Sequence, residues 1–525
     1  MSPAGPRTVP GATRALAALL ILLVVSFGCQ TTKSSGSSGG SSSSGTLPVI
    51  NSFTASAASI TLGKSVTLSW SVTNATSLSL NQGVGPVTGS SVSVTPAATG
   101  TLTYVLTATN STGSATASVT VTVTGATATA YYQSGGNVTL TNQTFGSSTN
   151  DESGVKVVSS GVLSLSDSTV TTSGNTSSAD NSSFYGLDAG VLATSASAIH
   201  LANVTVKTTG TGANGVFATG KGTTVTLDNC AITCTGQLGH GVDATDSGVL
   251  TVANCTIVTG PGANSAAIAT DRGGGTITVT GGTMSTSGAD APGVYSTGAI
   301  TVSGATISAS GSEAAVIEGA NSIVLSDTKL AGSVKRGVMI YQSMSGDASG
   351  TNGVFTMTRG SLTAAAGPLF YVTNSTGNIT LTGVTLTATS GTLIDASAGN
   401  WGTSGSNGGT VHFVADTETM AGNVTADALS TVNLTLRNAS SLTGAVNTAN
   451  TAKAANLTLD AASGWTVTAD SYLATISDAS GISGSSVTNI TGNGHNVYYS
   501  ASLAGNSYLG GKAYALAGGG YLLPK

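Results

Sequence analysis

From about residue 125 onward the chain repeats one phrase of apolar and polar positions. An aliphatic residue, any residue, a second aliphatic and any residue are followed by Asn, Asp or Gly, two further residues, and another aliphatic. The phrase is seen in Ile199-Leu201-Asn203-Val206, Val225-Leu227-Asn229-Ile232 and Leu250-Val252-Asn254-Ile257. It continues in Ile277-Val279-Gly281-Met284, Ile300-Val302-Gly304-Ile307, Ile323-Leu325-Asp327-Leu330 and Ile379-Leu381-Gly383-Leu386. Aliphatics two apart share one face of a strand. The Asn, Asp or Gly that follows tolerates the left-handed backbone of a sharp corner, and the last aliphatic turns inward from a second strand. A third short strand precedes each phrase, as in Gly215-Val216-Phe217-Ala218-Thr219, Gly241-Val242-Asp243-Ala244-Thr245 and Gly293-Val294-Tyr295-Ser296-Thr297. A fixed period of this length signals a solenoid. Three strands per coil, stacked at the strand spacing, predict a parallel β-helix of about a dozen coils over residues 125–525.

Residues 47–124 follow a different pattern of alternating strands broken by Gly, Asn and Pro. The run Ser65-Val66-Thr67-Leu68-Ser69-Trp70-Ser71-Val72 alternates with period two, as a half-buried strand does. The later run from Thr99 to Asn110, with Tyr104 two residues before Leu106, resembles strand F of Ig-like β-sandwiches. The resemblance implies that Leu106 occupies the position of that family's second cysteine and Trp70 that of its partner, so that apolar packing replaces the disulfide. Such modules in bacterial surface proteins are usually spacers.

Asn203, Asn229 and Asn254 fall at equivalent corners and resemble the asparagine ladder of pectate-lyase-like right-handed β-helices. The segment from Gly492 to Lys512 resembles the closing segment of bacterial adhesin-like β-helix proteins. These resemblances imply an all-β chain: a small sandwich followed by a long right-handed parallel β-helix. They imply little about activity, because the superfamily hosts lyases, hydrolases, adhesins and structural rods.

The first 29 residues read as an export signal: Arg7 and Arg14, then an apolar stretch from Leu16 to Val25 that is too short to span a bilayer. Ser26-Phe27-Gly28-Cys29-Gln30 resembles a bacterial lipobox, although Ser26 departs from the usual aliphatic residue. The resemblance implies acylation of Cys29, and Gln30 in place of Asp implies outer-membrane sorting. Residues 30–46, nearly all Ser and Gly after the first few, form a flexible tether. Composition then narrows the functions. Only 7% of residues are charged and 39% are apolar, which suits packed strands better than disorder. Sixteen Lys plus Arg in 525 residues leave no basic footprint for nucleic acid, and no nucleotide-binding loop, zinc spacing or nucleophile elbow is present. No cofactor or metal is expected. The last residues lack the long alternating strands of a membrane pore.

Three features carry candidate chemistry. Cys230 and Cys255 share a motif position in consecutive coils, which permits a disulfide; the alternative is that both, with Cys234, are small core residues. The outward positions of the third strand, with the residues just beyond, give a candidate glycan-binding stripe: Phe217, Asp243, Asp246, Ile268, Asp271, Arg272, Tyr295 and Met339. Aromatics there could stack on sugar rings and carboxylates could act as acid and base. Gly239-His240-Gly241 resembles a polygalacturonase motif, but that family's paired-Asp and Arg-x-Lys motifs are missing. Finally, Thr226, Thr251, Thr278, Thr301 and Thr380 form an outward ladder, interrupted by His200, Asp228 and Val324, of the sort that binds ice in some β-helices. The sequence therefore points to a lipid-anchored, adhesin-like protein of the cell surface that binds glycans or neighbouring cells and carries no catalytic residues. The alternatives are a polysaccharide lyase or glycoside hydrolase on the same fold, and an ice-binding β-helix.

Overall fold

The computed structural model describes residues 45–124 and 128–525, so the expected export signal, Cys29 and most of the expected Ser/Gly tether lie outside the described residues. The chain divides into two compact units, residues 1–125 and 126–525.

In the first unit, strands Val49–Ala55, Val66–Thr73 and Ser91–Val94 form a three-stranded antiparallel sheet. A five-stranded sheet contains the long hairpin Gly100–Asn110 and Gly113–Thr124. Val66, Leu68, Trp70, Tyr104, Leu106 and Val121 are buried together in one cluster. The indole Nε1 of Trp70 donates to the carbonyl of Gly89 at 3.0 Å, so the large buried ring keeps its one polar atom satisfied.

The second unit is a parallel β-solenoid of the right-handed type with about 16 turns. It is longer than the dozen coils expected from the motif. A typical coil supplies two strands to a 22-stranded sheet and one to a 12-stranded sheet. In one such coil these are Thr224–Asp228, Ala231–Cys234 and Val216–Thr219, each pairing in parallel with the next coil. The alternation places Val225, Leu227, Ile232, Val216 and Ala218 inside, in one continuous core. Each fully buried aliphatic of this kind contributes roughly 1.5–3 kcal/mol. The corners behave as the sequence requires: Asn203, Asn229, Asn254, Gly281, Gly304, Asp327 and Gly383 all have φ between 49° and 66°. The stack ends in an antiparallel pairing of Tyr514–Ala517 with Tyr521–Pro524, which folds the chain back on itself within a nine-stranded sheet.

Cys230, Cys234 and Cys255 are free and buried. Cys230 and Cys255 do stack, with the Cys230 N–H 3.3 Å from the Cys255 sulfur, but they stand as thiols in the core. The threonine ladder keeps its register through Thr226, Thr251, Thr278 and Thr301, with His200 and Val324 in the same row. Asp228 does not interrupt it; this residue stands in the neighbouring row between Ala202 and Ala253.

Candidate functional site

The 12-stranded sheet carries an outward row in which Phe217, Asp243, Ala269, Tyr295, Val316, Met339 and Tyr371 follow one another in successive coils. A second row holds Glu318 beside Tyr341. Around the middle of these rows lies a pocket of about 460 Å³, within the size range of small-ligand sites. Its lining includes His240, Asp271, Tyr295, Glu313, Lys335, Tyr341, Asp347 and Trp401.

Of the residues assigned to a stripe from sequence, Asp271, Tyr295 and Met339 line this pocket, and Asp243 lies directly behind Asp271. Two others cannot face a ligand. Ile268 is fully buried in the solenoid core, and Ala269 takes the outward position. Phe217 points outward but is fully buried with Ala189 and Leu192, beneath a short helix, α1 (Ala179–Tyr185). Asp246 is an exposed turn residue with φ 47°. Arg272 serves as a brace: its guanidinium lies 3.9 Å over the Phe184 ring of α1 and pairs with Asp347 at 2.9 Å.

Each acid–base group is held by its coil. Gly241 lets the chain turn tightly between His240 and Asp243; a Cβ there would come within 2.3 Å of Ile257 and 2.6 Å of the Ala267 carbonyl. The His240 N–H donates to Asn214 Oδ1 at 2.7 Å, and the imidazole Nδ1 accepts from the Ala266 N–H at 2.9 Å. That second bond puts the ring proton on Nε2, which stands 3.6 Å from Asp271 Oδ2. Burial holds the imidazole neutral, with its pKa pushed down to about 4. Donor atoms of His240, Asp243 and Asp271 lie within 4.8 Å of one another. A metal bound there would need the Nε2 lone pair, which the Ala266 bond denies. The trio fits a shared-proton cluster better than a cation site.

Asp243 is fully buried, and neither carboxylate oxygen has a partner among the described residues. Burial, with the Asp271 charge beside it, pushes its carboxyl well above the ordinary range. Asp271 opens into the pocket with its side chain 10% exposed. Burial raises its pKa to about 7, with Asp347 and Glu318 adding like charge and Arg272 opposing. Buried like-charge carboxyls that cannot both ionise are a recurrent feature of acid–base sites.

The chain matches no family model, no curated protein and no solved structure.

The opposite side of the pocket is built from ion pairs. Arg336 contacts Glu313 at 2.8 Å and lies 4.2 Å over the Tyr371 ring, and Lys335 pairs with Asp290 and approaches Glu313 at 3.9 Å. Glu318, 1% exposed, accepts the hydroxyls of Tyr295 (2.6 Å), Tyr341 (2.8 Å) and Ser343. Burial and the Glu318 charge push both phenols up, so the two tyrosines stay protonated as donors. Trp401 packs edge-on against Tyr341 with ring centroids 4.9 Å apart, and its loop is pinned by Asn407, whose amide donates to the carbonyls of Gly399 and Trp401. His240 was noted in the sequence only as a weak motif, and Glu313, Glu318, Tyr341, Asp347 and Trp401 were missed. Glu318 and Tyr341 had a signal, since both close a third strand on its outward side.

Proposed function

We propose that the protein is a surface-displayed glycoside hydrolase acting on neutral glycans. The observation that carries this is Asp271, a carboxyl with a pKa near 7 that opens into a pocket also lined by Glu313, Tyr341 and Trp401. A general acid is most effective when its pKa lies near the working pH. In this reading Asp271 gives its proton to the glycosidic oxygen as the bond to the anomeric carbon breaks. Glu313 takes a proton from the water whose oxygen bonds to that carbon, and exchange with solvent resets both groups. The His240 Nε2–H faces Asp271 at 3.6 Å, and Asp243 behind it keeps a second proton in the cluster. Trp401 and Tyr341 offer ring faces and edges to sugar.

Charge favours a neutral substrate over the polyuronate of a lyase. Lys335 is the one Lys or Arg lining the pocket among the described residues, against four carboxyl side chains, Asp271, Asp290, Glu313 and Asp347. It is paired, as are Arg272 and Arg336 nearby. Among the described residues no unpaired cation lines the pocket to neutralise a uronate. The same charge count works against adhesion to acidic polysaccharides.

The display part of the reading rests on the lipobox at Cys29 and the tether that follows. The antiparallel N-terminal unit, with Trp70 and Leu106 in one cluster, supports an Ig-like spacer. Together they would hold the β-helix at the outer membrane within reach of surface polysaccharide. Incubation of the full chain with neutral and acidic polysaccharides tests the proposal. Release of sugar from a neutral polymer, abolished by Asp271→Asn, is expected. Retention without cleavage would return the protein to the adhesin-like class.

A further inference from the structure

The pocket is stopped at both ends along the coil axis, which limits how a glycan can enter. Toward the N-terminal coils, the row containing Asp243 continues into Phe217, which α1 covers so closely that a Cβ on its capping Gly186 would lie 2.7 Å from the Phe217 ring. The helix is fastened there: the Thr245 hydroxyl donates to the Phe184 carbonyl at 2.7 Å, and Ser183 lines the pocket as an end wall. Arg272, between the Phe184 ring and Asp347, ties α1 to the loop after Tyr341. Toward the C-terminal coils, Met339 and Tyr371 are 3% and 6% exposed, roofed by Arg336 and clustered with Trp401.

An internally cleaved chain must lie across the acid–base pair with sugars on both sides. Along this solenoid it would have to pass through α1 at one end and through the Arg336–Trp401 wall at the other. We propose that the pocket admits a glycan terminus from above and that hydrolysis is exo-acting, releasing one or two sugars from the chain end. This rests on the hydrolase reading above. Asp271 stands one coil beyond the strand of Asp243, and the row is already blocked at Phe217 one coil before it. At ~4.8 Å per coil, that leaves space for a short terminal unit on this side of the acid.

The test uses the full chain with end-labelled neutral oligosaccharides of the glucan, xylan, mannan and galactan classes, sampled early, alongside polymer viscosity. Expected are mono- or disaccharides trimmed from one end, a labelled remainder shortened stepwise, and viscosity that is preserved. Early internal fragments with a rapid loss of viscosity would overturn exo-action and leave the hydrolase reading standing. No product from any probe would remove that reading and this inference with it. The double variant Phe184→Ala/Arg272→Ala loosens the end wall and is expected to yield internal fragments. Unchanged end-trimming by a folded double variant would overturn the role given to α1.

Discussion

Replacing Asp271 by asparagine should strengthen the fold while removing the chemistry. The carboxyl holds more protons in the folded chain than in the unfolded one, because burial raises its pKa from 3.8 to about 7. Stability falls wherever the unfolded state binds fewer protons than the native state, so Asp271 lowers stability progressively as pH rises from about 3.8 to about 7. Above that the cost is constant. At ~1.4 kcal/mol for each pKa unit, the cost in the plateau is about 4 kcal/mol. Asparagine has nearly the same shape and carries no charge. The variant should therefore match the parent near pH 4 and exceed it by up to about 4 kcal/mol at pH 8. Urea-denaturation midpoints of parent and variant, measured at intervals from pH 4 to 8, read this directly. A gap that opens with pH supports the argument. A variant weakened equally at every pH would refute it, since the side chain would then be a structural hydrogen-bonding group with no strained ionisation. A fold that is less stable with its native residue, and inactive without it, is the trade-off expected of a functional acid.

Other outcomes follow from the same geometry. The water-activating role given to Glu313 implies inverting hydrolysis; NMR of the first-formed sugar should show an inverted anomer. Glu318→Gln replaces one accepting oxygen by an amide donor, which then faces either the two tyrosine hydroxyls or the Ser343 hydroxyl. It should cost about 1–3 kcal/mol and speed hydrogen exchange in residues 342–350, with retained protection there arguing against the brace. At the corners, Asn229→Gly should be close to neutral and Asn229→Ala should lose about 1 kcal/mol, because the backbone is left-handed at this position and a Cβ without a local hydrogen bond is disfavoured there. Thiol titration of the denatured, unreduced chain should find Cys230, Cys234 and Cys255 all reactive; a single reactive thiol among them would reveal a disulfide.

The solenoid was legible because its corners and its aliphatic columns speak in different residue types. Asn, Asp or Gly at the left-handed position fixes where each coil bends, and one bend fixes the phase of both flanking strands. The phase of the third strand is set by a glycine instead, as at Gly241 before Val242 and Gly337 before Val338, and outward residues were read correctly there. In the coil between Asp243 and Tyr295 that glycine is replaced by Ala267, which pairs beside Gly241, and the run Ala266-Ala267-Ile268-Ala269 has no polar residue to restore the alternation. Ile268 was assigned outward for that reason, although register with Val242 turns it inward. The walls of the pocket were harder still. Helix α1, Ala-Asp-Asn-Ser-Ser-Phe-Tyr, holds weak helix formers at every position after Ala179 and has no helical period; its Ser178 cap and Gly186 stop become meaningful only once Phe217 is seen beneath it. Trp401 stands on a loop after Ala396 that repeats nothing in other coils. What periodicity encodes is the stack. The pocket is made where periodicity is broken, by an inserted helix, an inserted loop and charged residues placed on a row that elsewhere carries Thr or small apolar side chains. An unpartnered buried carboxyl also occurs at Asp188, but Asp243 stands at the centre of that break beside Asp271, which opens into the pocket, and that conjunction is the physical reason to read it as a site.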